Sequence, residues 1–167
     1  KVFLFFNSAK SESGDIKLNP RDSILCIRLN RIGDALVSTA FLELLKKQGK
    51  FRITVLADKK NHFVFKNCPS VDEVIIYEKK PLKAIMQIHK LNNRGFGAVI
   101  DLHDDTSTTV SLIISLLKIP YKVAIEKTGQ KIYTNTVRKP EYSKTHVIDR
   151  LLCLTPIFGI TPEGSIN

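Results

Sequence analysis

Arg28, Arg31, Gly33 and Asp34 fall within one short stretch, Arg28-Leu29-Asn30-Arg31-Ile32-Gly33-Asp34. It combines two cations with forked donors, a residue without a side chain and one carboxylate. Arginine's planar fork suits a phosphate or another anionic group on a ligand; the same two residues suit surface ion pairs equally well. The carboxylate narrows the chemistry. A dinucleotide site needs Gly-x-Gly-x-x-Gly here so that backbone can approach the pyrophosphate, and a triphosphate site needs Gly-x-x-x-x-Gly-Lys-Ser/Thr. Asn30 to Asp34 supplies one glycine and a charge that repels phosphate. Asp34 also suits a helix N-cap, where a carboxylate accepts from free N–H groups and complements the helix dipole. Gly33 reads as a position near the crossover that tolerates no side chain. A second polar cluster, His103-Asp104-Asp105, offers contacts to ligand hydroxyls. As a metal site it lacks a second group of ligands at useful spacing, and capping of the next helix by Asp105 or Thr106 is the simpler reading. No metal is assigned. His62, His89 and His146 fall within predicted helices as packing or surface residues.

Something must hold these residues at one place. Ile24 to Ile27 and Leu29 form an apolar, partly β-branched run that predicts a buried strand. Ala35, Leu36, Ala40, Phe41, Leu44 and Leu45 then recur at helical spacing up to Lys46-Lys47-Gln48-Gly49, which suits a helix C-terminus. Arg31 to Asp34 therefore form a strand-to-helix crossover. Further strands are predicted at Phe51–Leu56, Val74–Tyr77, Ala98–Leu102 and Tyr121–Ile125. Helices are predicted at Asn61–Lys66, from Pro81 through Leu91, at Thr106–Leu117 and at His146–Leu154. Glu126 to Pro140 lacks a helical period and reads as turns wrapping the strand ends, and the tail after Pro156 reads as irregular. Strands alternating with helices predict an α/β fold: a Rossmann-like parallel sheet with helices on both faces. Ligands bind such sheets outside the carboxyl ends of the strands, which is where the Asp34 and His103 turns would open.

The 167 residues fit one domain of roughly 100 to 200 residues. A hydrophobic content of 43% and a charged content of 25% argue against wholesale disorder. Lys and Arg number 26 against 16 Asp and Glu, a net charge of +10 that favours anionic partners. Cys26, Cys68 and Cys153 have no metal-ligand spacing and leave an odd count for disulfides, so a reducing, cytoplasmic setting is expected. No apolar run approaches the roughly 20 residues that span a bilayer.

Ile24-Leu25-Cys26-Ile27-Arg28-Leu29, Arg31-Ile32-Gly33-Asp34, Pro69-x-Val71-Asp72-Glu73-Val74 and Phe96-x-Ala98-Val99-Ile100-Asp101-Leu102-His103 together resemble the lipopolysaccharide heptosyltransferases, glycosyltransferase family 9. The likeness continues through Tyr121-Lys122-Val123-Ala124 and His146 to Ile160, covering roughly residues 22 to 160. It implies the N-terminal half of a GT-B enzyme: residues 1–21 an N-terminal extension, 22–160 a Rossmann-like acceptor-binding domain, 161–167 the start of an interdomain linker. It further implies transfer of a heptose from ADP-heptose, or another nucleotide sugar, to the lipopolysaccharide inner core with inversion. The donor would bind mainly to a C-terminal domain beyond these residues, with no further cofactor. Asp34 matches the family's general base. Arg28, Arg31, Gly33, His103 and Lys122 are the acceptor-binding positions that follow, with Lys127, Lys131 and Arg138 in the segment where the family binds anionic groups. Lys122 stands where the family has an arginine before a glycine, and lysine lacks the bidentate geometry. An inverting displacement needs one base near the acceptor hydroxyl and cations or helix N-termini around the leaving diphosphate. The latter lie mainly on the other half in the family, so this chain alone is expected not to turn over.

Other classes fit less of the sequence. A nucleic-acid-binding or other anion-binding module without catalysis would explain the charge. The chain shows no recognisable nucleic-acid motif and no aromatic residues interleaved with a basic stripe, so the partner expected is an anionic glycan acceptor and not nucleic acid. A dehydrogenase domain lacks the glycine fingerprint. The net charge, the acceptor class and the apolar Val2–Phe6 run also suggest peripheral contact with the cytoplasmic face of the inner membrane.

Overall fold

The computed structural model describes residues 16–127, 130–139 and 147–161, with backbone alone at 130 and 147–149. The Val2–Phe6 run, His146 and residues 162–167 lie outside the described residues. Six strands form one parallel sheet: β1 (Ser23–Arg28), β2 (Arg52–Ala57), β3 (Glu73–Ile76), β4 (Ala98–Asp101), β5 (Tyr121–Ile125) and β6 (Asn135–Val137), in the order β3-β2-β1-β4-β5-β6. The helices are α1 (Ile32–Lys47), α2 (His62–Lys66), α3 (Pro81–Asn92), α4 (Thr108–Leu116) and α5 (Val147–Leu152), with 3-10 turns at Gln130–Ile132 and Thr155–Phe158.

Strand alternation divides the core into two layers. Ile24 and Cys26 of β1 face α1, α2 and α5, through Phe41, Leu42, Leu45, Phe65 and Leu151. Leu25 and Ile27 face α3 and α4, through Ile88, Leu91, Val110, Ile113 and Ile114. Every residue of β1 from Ile24 to Arg28 is buried, as a central parallel strand with helices on both faces requires. Ile16 and Leu18 pack against the first layer, and Arg21 donates its N–H to the Lys50 carbonyl, so residues 16–21 lie on the domain.

Two elements depart from the sequence reading. Residues 126–140 do more than wrap the strand ends: after a 3-10 turn they contribute β6, which pairs with β5 from Val123↔Asn135 to Ile125↔Val137. The helix α1 starts at Ile32, so Gly33 and Asp34 lie in its first turn and not before it. Chain order reverses between β1 and β4, which pair from Ile24↔Ala98 to Ile27↔Asp101. A crevice outside their carboxyl ends is where such sheets take ligands, and Asp34 and His103 both follow those ends.

Candidate functional site

Arg28 ends β1 and is 4% exposed. One guanidinium nitrogen, Nη2, pairs with Asp34 Oδ2 at 2.6 Å, and Nη1 donates to the Leu102 carbonyl after β4. Burial draws Arg28 below its ordinary range, while the charges of Asp34, Asp104 and Asp101 hold it up; an arginine there stays cationic at neutral pH. The Asp34 side chain keeps 31% of its surface exposed. Asp34 is not the cap of α1. That place belongs to Arg31, which makes no side-chain cap hydrogen bond and sits at φ 46, a left-handed conformation that costs a side-chain-bearing residue on the order of 1 kcal/mol or more. Without a capping side chain, the first N–H groups of α1 face the crevice and favour negative charge there.

Gly33 differs from the expectation. A Cβ on it would meet nothing within 4 Å, and its φ is not positive, so the domain's own packing does not exclude a side chain. The open space lies in the first turn of α1 beside Asp34.

The turn is anchored from the next strand. Asn61, 1% exposed, donates through Nδ2 to the carbonyls of Arg28 and Asn30, both at 3.1 Å, and its Oδ1 accepts from the Asp58 N–H at 2.9 Å. Asp58 in turn pairs with Lys79 after β3 at 2.8 Å. Burial pushes the Asp58 carboxyl up, but Lys79 and the Lys60 N–H outweigh it and hold the group below its usual range. Sequence inspection missed Asn61, whose signal was an amide in the β2 crossover immediately before a short helix.

One strand over, Asp101 forms a sealed cluster. It is 1% exposed. Its Oδ1 takes the His103 N–H at 3.0 Å and His103 Nδ1 at 2.8 Å, and Oδ2 takes Lys127 Nζ at 2.7 Å and the Tyr133 hydroxyl at 2.6 Å. Burial pushes Asp101 up; His103 and Lys127 overcome it and hold the carboxyl at about 2. Lys127 also donates to the His103 carbonyl at 2.8 Å. His103 Nε2 accepts from the Leu29 N–H at 3.2 Å, so Nδ1 carries the ring's proton.

This geometry corrects several sequence expectations. His103 does not open onto the crevice: it is 6% exposed with both ring nitrogens engaged. Lys127 is likewise buried as the counter-ion of Asp101 and is not presented to an anionic ligand. Lys122 lies at the other end of the sheet, because it pairs with Val99 while Ala124 pairs with Asp101. Its N–H donates to Thr134 Oγ1 at 2.8 Å, and burial lowers its ammonium below the ordinary lysine value. Arg28 supports Asp34 from beneath instead of projecting outward. The cap of α4 is Ser107, which accepts from the Val110 N–H, and neither Asp105 nor Thr106. Asp104 instead pairs with Arg150 at 3.6 Å and Asp105 with Lys139 at 3.1 Å. Arg31 and Arg138 are exposed after β1 and β6, as is Lys131 in the 3-10 turn. Among the described residues no group of three or more His, Cys, Asp and Glu could hold a metal ion.

No protein-family model and no curated protein matches the chain. Solved structures do. A glycosyl transferase of family 9 from Veillonella parvula matches with a TM-score of 0.73 at 22% identity, over 89% of this chain and 44% of its own. The E. coli ADP-heptose lipopolysaccharide heptosyltransferase II matches with a TM-score of 0.65 at 19% identity, over 79% and 39%. The E. coli heptosyltransferase WaaC with ADP matches at 0.70 and 13%, over 86% and 49%. At these identities the shared property is the fold: the chain has the architecture of one half of a GT-B glycosyltransferase and spans half or less of the length of each of these proteins.

Proposed function

We propose that the chain is the acceptor-binding half of an inverting glycosyltransferase and that Asp34 is its general base. The observation that supports this reading most is the Asp34 carboxylate itself. It stands at the switch point of the sheet, is one-third exposed, and is held through one oxygen by a buried arginine that is in turn fixed to the neighbouring strand. In the reaction, the acceptor hydroxyl donates its proton to Asp34 as its oxygen bonds to the anomeric carbon of the donor. The bond from that carbon to the diphosphate breaks, and the electron pair leaves with the nucleotide. Arg28 leaves Asp34 Oδ1 to face the hydroxyl and fixes its direction, which is the positioning such a step requires. The exposed Arg31 and the uncapped start of α1 would hold an anionic group on the acceptor.

The donor expected is a nucleotide heptose and the acceptor an anionic core glycan such as that of lipopolysaccharide, on the cytoplasmic side of the membrane. Both rest on the likeness of fold and on the sequence resemblance. Donor binding and stabilisation of the leaving diphosphate belong to a partner half, so the chain alone should bind acceptor and transfer nothing.

Calorimetric titration of the chain with a phosphorylated core oligosaccharide should show binding that Asp34→Asn preserves and Arg31→Ala weakens. With the donor-binding half covalently joined, Asp34→Asn should lower kcat on the order of a hundredfold to ten-thousandfold. Asp104→Asn, at one of the two carboxylates after β4, should leave it within a few fold. A normal rate for Asp34→Asn removes Asp34 from the role of base.

A further inference from the structure

The helix α3 presents two apolar sides. Ala84, Ile88 and Leu91 are buried on the sheet. On the opposite side, Leu82, Ile85 and Met86 recur at helical spacing and are 78%, 61% and 60% exposed. Beside it, α4 buries Val110, Ile113 and Ile114 while Leu112 and Leu116 stay 59% and 47% exposed. The two helices cover the same sheet face. Asn92, the last residue of α3, donates to the Leu116 carbonyl at 3.2 Å and accepts from the Lys118 N–H at 2.7 Å, which ties their carboxyl ends together. Five large apolar side chains thus stand outward on adjacent helices.

Charge selects what covers them. Lys79 to Arg94 contains five Lys and Arg residues and no Asp or Glu, and Thr106 to Ile125 contains two lysines and no acid. Lys79 and Arg94 are paired, with Asp58 and Glu73. Lys80, Lys83, Lys90 and Lys118 are exposed, and none is in an ion pair with another described residue. On the opposite face of the sheet Leu36 and Phe63 are also exposed, but along the carboxyl half of α1 the cations are paired, Lys47 with Glu43 and Lys46 with Asp72.

We propose that the outer faces of α3 and α4 dock on a bilayer rich in anionic lipid. Leu82, Ile85, Met86, Leu112 and Leu116 would enter the boundary between headgroups and acyl chains, and the unpaired lysines would lie over lipid phosphates. Apolar residues flanked by an excess of cations, here with Glu78 beside Lys83, Met86 and Lys90, are the composition that binds such a surface and not a neutral one. A basic rim also opposes pairing with a second copy of the same face. The amino end of α3 follows β3, so Leu82 and Asp34 lie toward the same end of the sheet, β3 being two strands or about 10 Å from β1. An acceptor anchored in lipid could then meet Asp34 without leaving the bilayer. That last step rests on the glycosyl-acceptor reading; the docking surface does not.

The chain contains no tryptophan, so one introduced indole reports its own surroundings. Leu82→Trp should show a blue-shifted emission with vesicles of phosphatidylglycerol and phosphatidylethanolamine, and not with phosphatidylcholine alone. Lys47→Trp, on the far face, should show none with either. Lys83→Glu with Lys90→Glu, added to Leu82→Trp, should weaken vesicle binding on the order of tenfold or more. Absence of a shift with anionic vesicles overturns the proposal, as does an equal shift at Lys47→Trp. A shift that grows with protein concentration without lipid, matched by a dimer in sedimentation, assigns the face to a second copy and also overturns it. Each of these results leaves acceptor titration unaffected, since none of the altered residues touches Asp34.

Discussion

Two carboxylates stand at the carboxyl ends of adjacent parallel strands, Asp101 as the last residue of β4 and Asp34 after β1, each facing a cation, and their surroundings are opposite. Asp101 is 1% exposed and receives four hydrogen bonds, so nothing can reach it. Asp34 is 31% exposed, and among the described residues the one ion pair that holds it is with Arg28. A fully donated, buried carboxylate carries structure: its proton affinity is suppressed and its neighbours are immobile. A half-open carboxylate held at one oxygen keeps a face for chemistry. The sealed cluster also serves the open one. Through His103 it holds Leu29, and Arg28 reaches from β1 to the Leu102 carbonyl, so the two crossovers are fastened to each other.

The sharpest way to break this contrast is to remove one charge from each. Asp101→Asn leaves the Lys127 ammonium buried without its counter-ion and should destabilise the domain by about 3–5 kcal/mol in urea unfolding. Asp34→Asn keeps an acceptor for Arg28 and changes a partly solvated pair, so its cost should be about 1–2 kcal/mol. Equal costs for the two variants would make Asp34 a structural residue and end the distinction.

Acid should weaken the sealed cluster. The Asp101 carboxyl ordinarily titrates near 3.8 and is held at about 2 in the fold. A depressed folded value contributes stability that is present above the unfolded value and is lost as pH falls through the folded one. About 2 kcal/mol should therefore disappear between roughly pH 4 and pH 2. Asp58, Asp72 and Glu73 are depressed too, so the measurement is the difference between the parent chain and Asp101→Asn in unfolding experiments across that range. Parallel curves would show that Asp101 contributes nothing to acid sensitivity. Tyr133→Phe should cost less than Asp101→Asn, about 1.5–3 kcal/mol near neutral pH, because it deletes one donor to a charged acceptor.

Much of this frame was legible in the sequence, and the failures have physical causes. The apolar runs of β1, β2, β4 and β5 are central and buried on both faces, so their composition alone marks them. The edge strand β6 is Asn-Thr-Val, three residues whose pairing to β5 leaves no apolar run to detect. At the site, the position of Asp34 followed from the strand-to-helix pattern, while its partner did not: a charged residue ending a buried strand, such as Arg28 or Asp101, implies a counter-ion without saying which. Lys127 answers Asp101 from 26 residues away. His103 follows the right strand end, but sequence shows only which end a residue follows, not that its ring turns inward. Lys122 has a simpler explanation. It is the second residue of β5, so in a parallel sheet it belongs to the end opposite the crevice.

The smallest expected effect tests the open side of the comparison most directly. Gly33 lies in the first turn of α1 with an ordinary φ, and an added methyl group meets no atom within 4 Å. Glycine in a helix costs about 0.5–1 kcal/mol relative to alanine, so Gly33→Ala should raise the unfolding free energy by up to that amount. If the space beside Asp34 is where an acceptor sits against the start of the helix, the same methyl group should weaken acceptor binding in the titration described above. A stabilised domain with weakened binding separates the two demands on this turn. Stabilisation with unchanged affinity would mean that the ligand stays clear of the α1 backbone, and that the exposed Arg31 side chain and Asp34 alone define the contact.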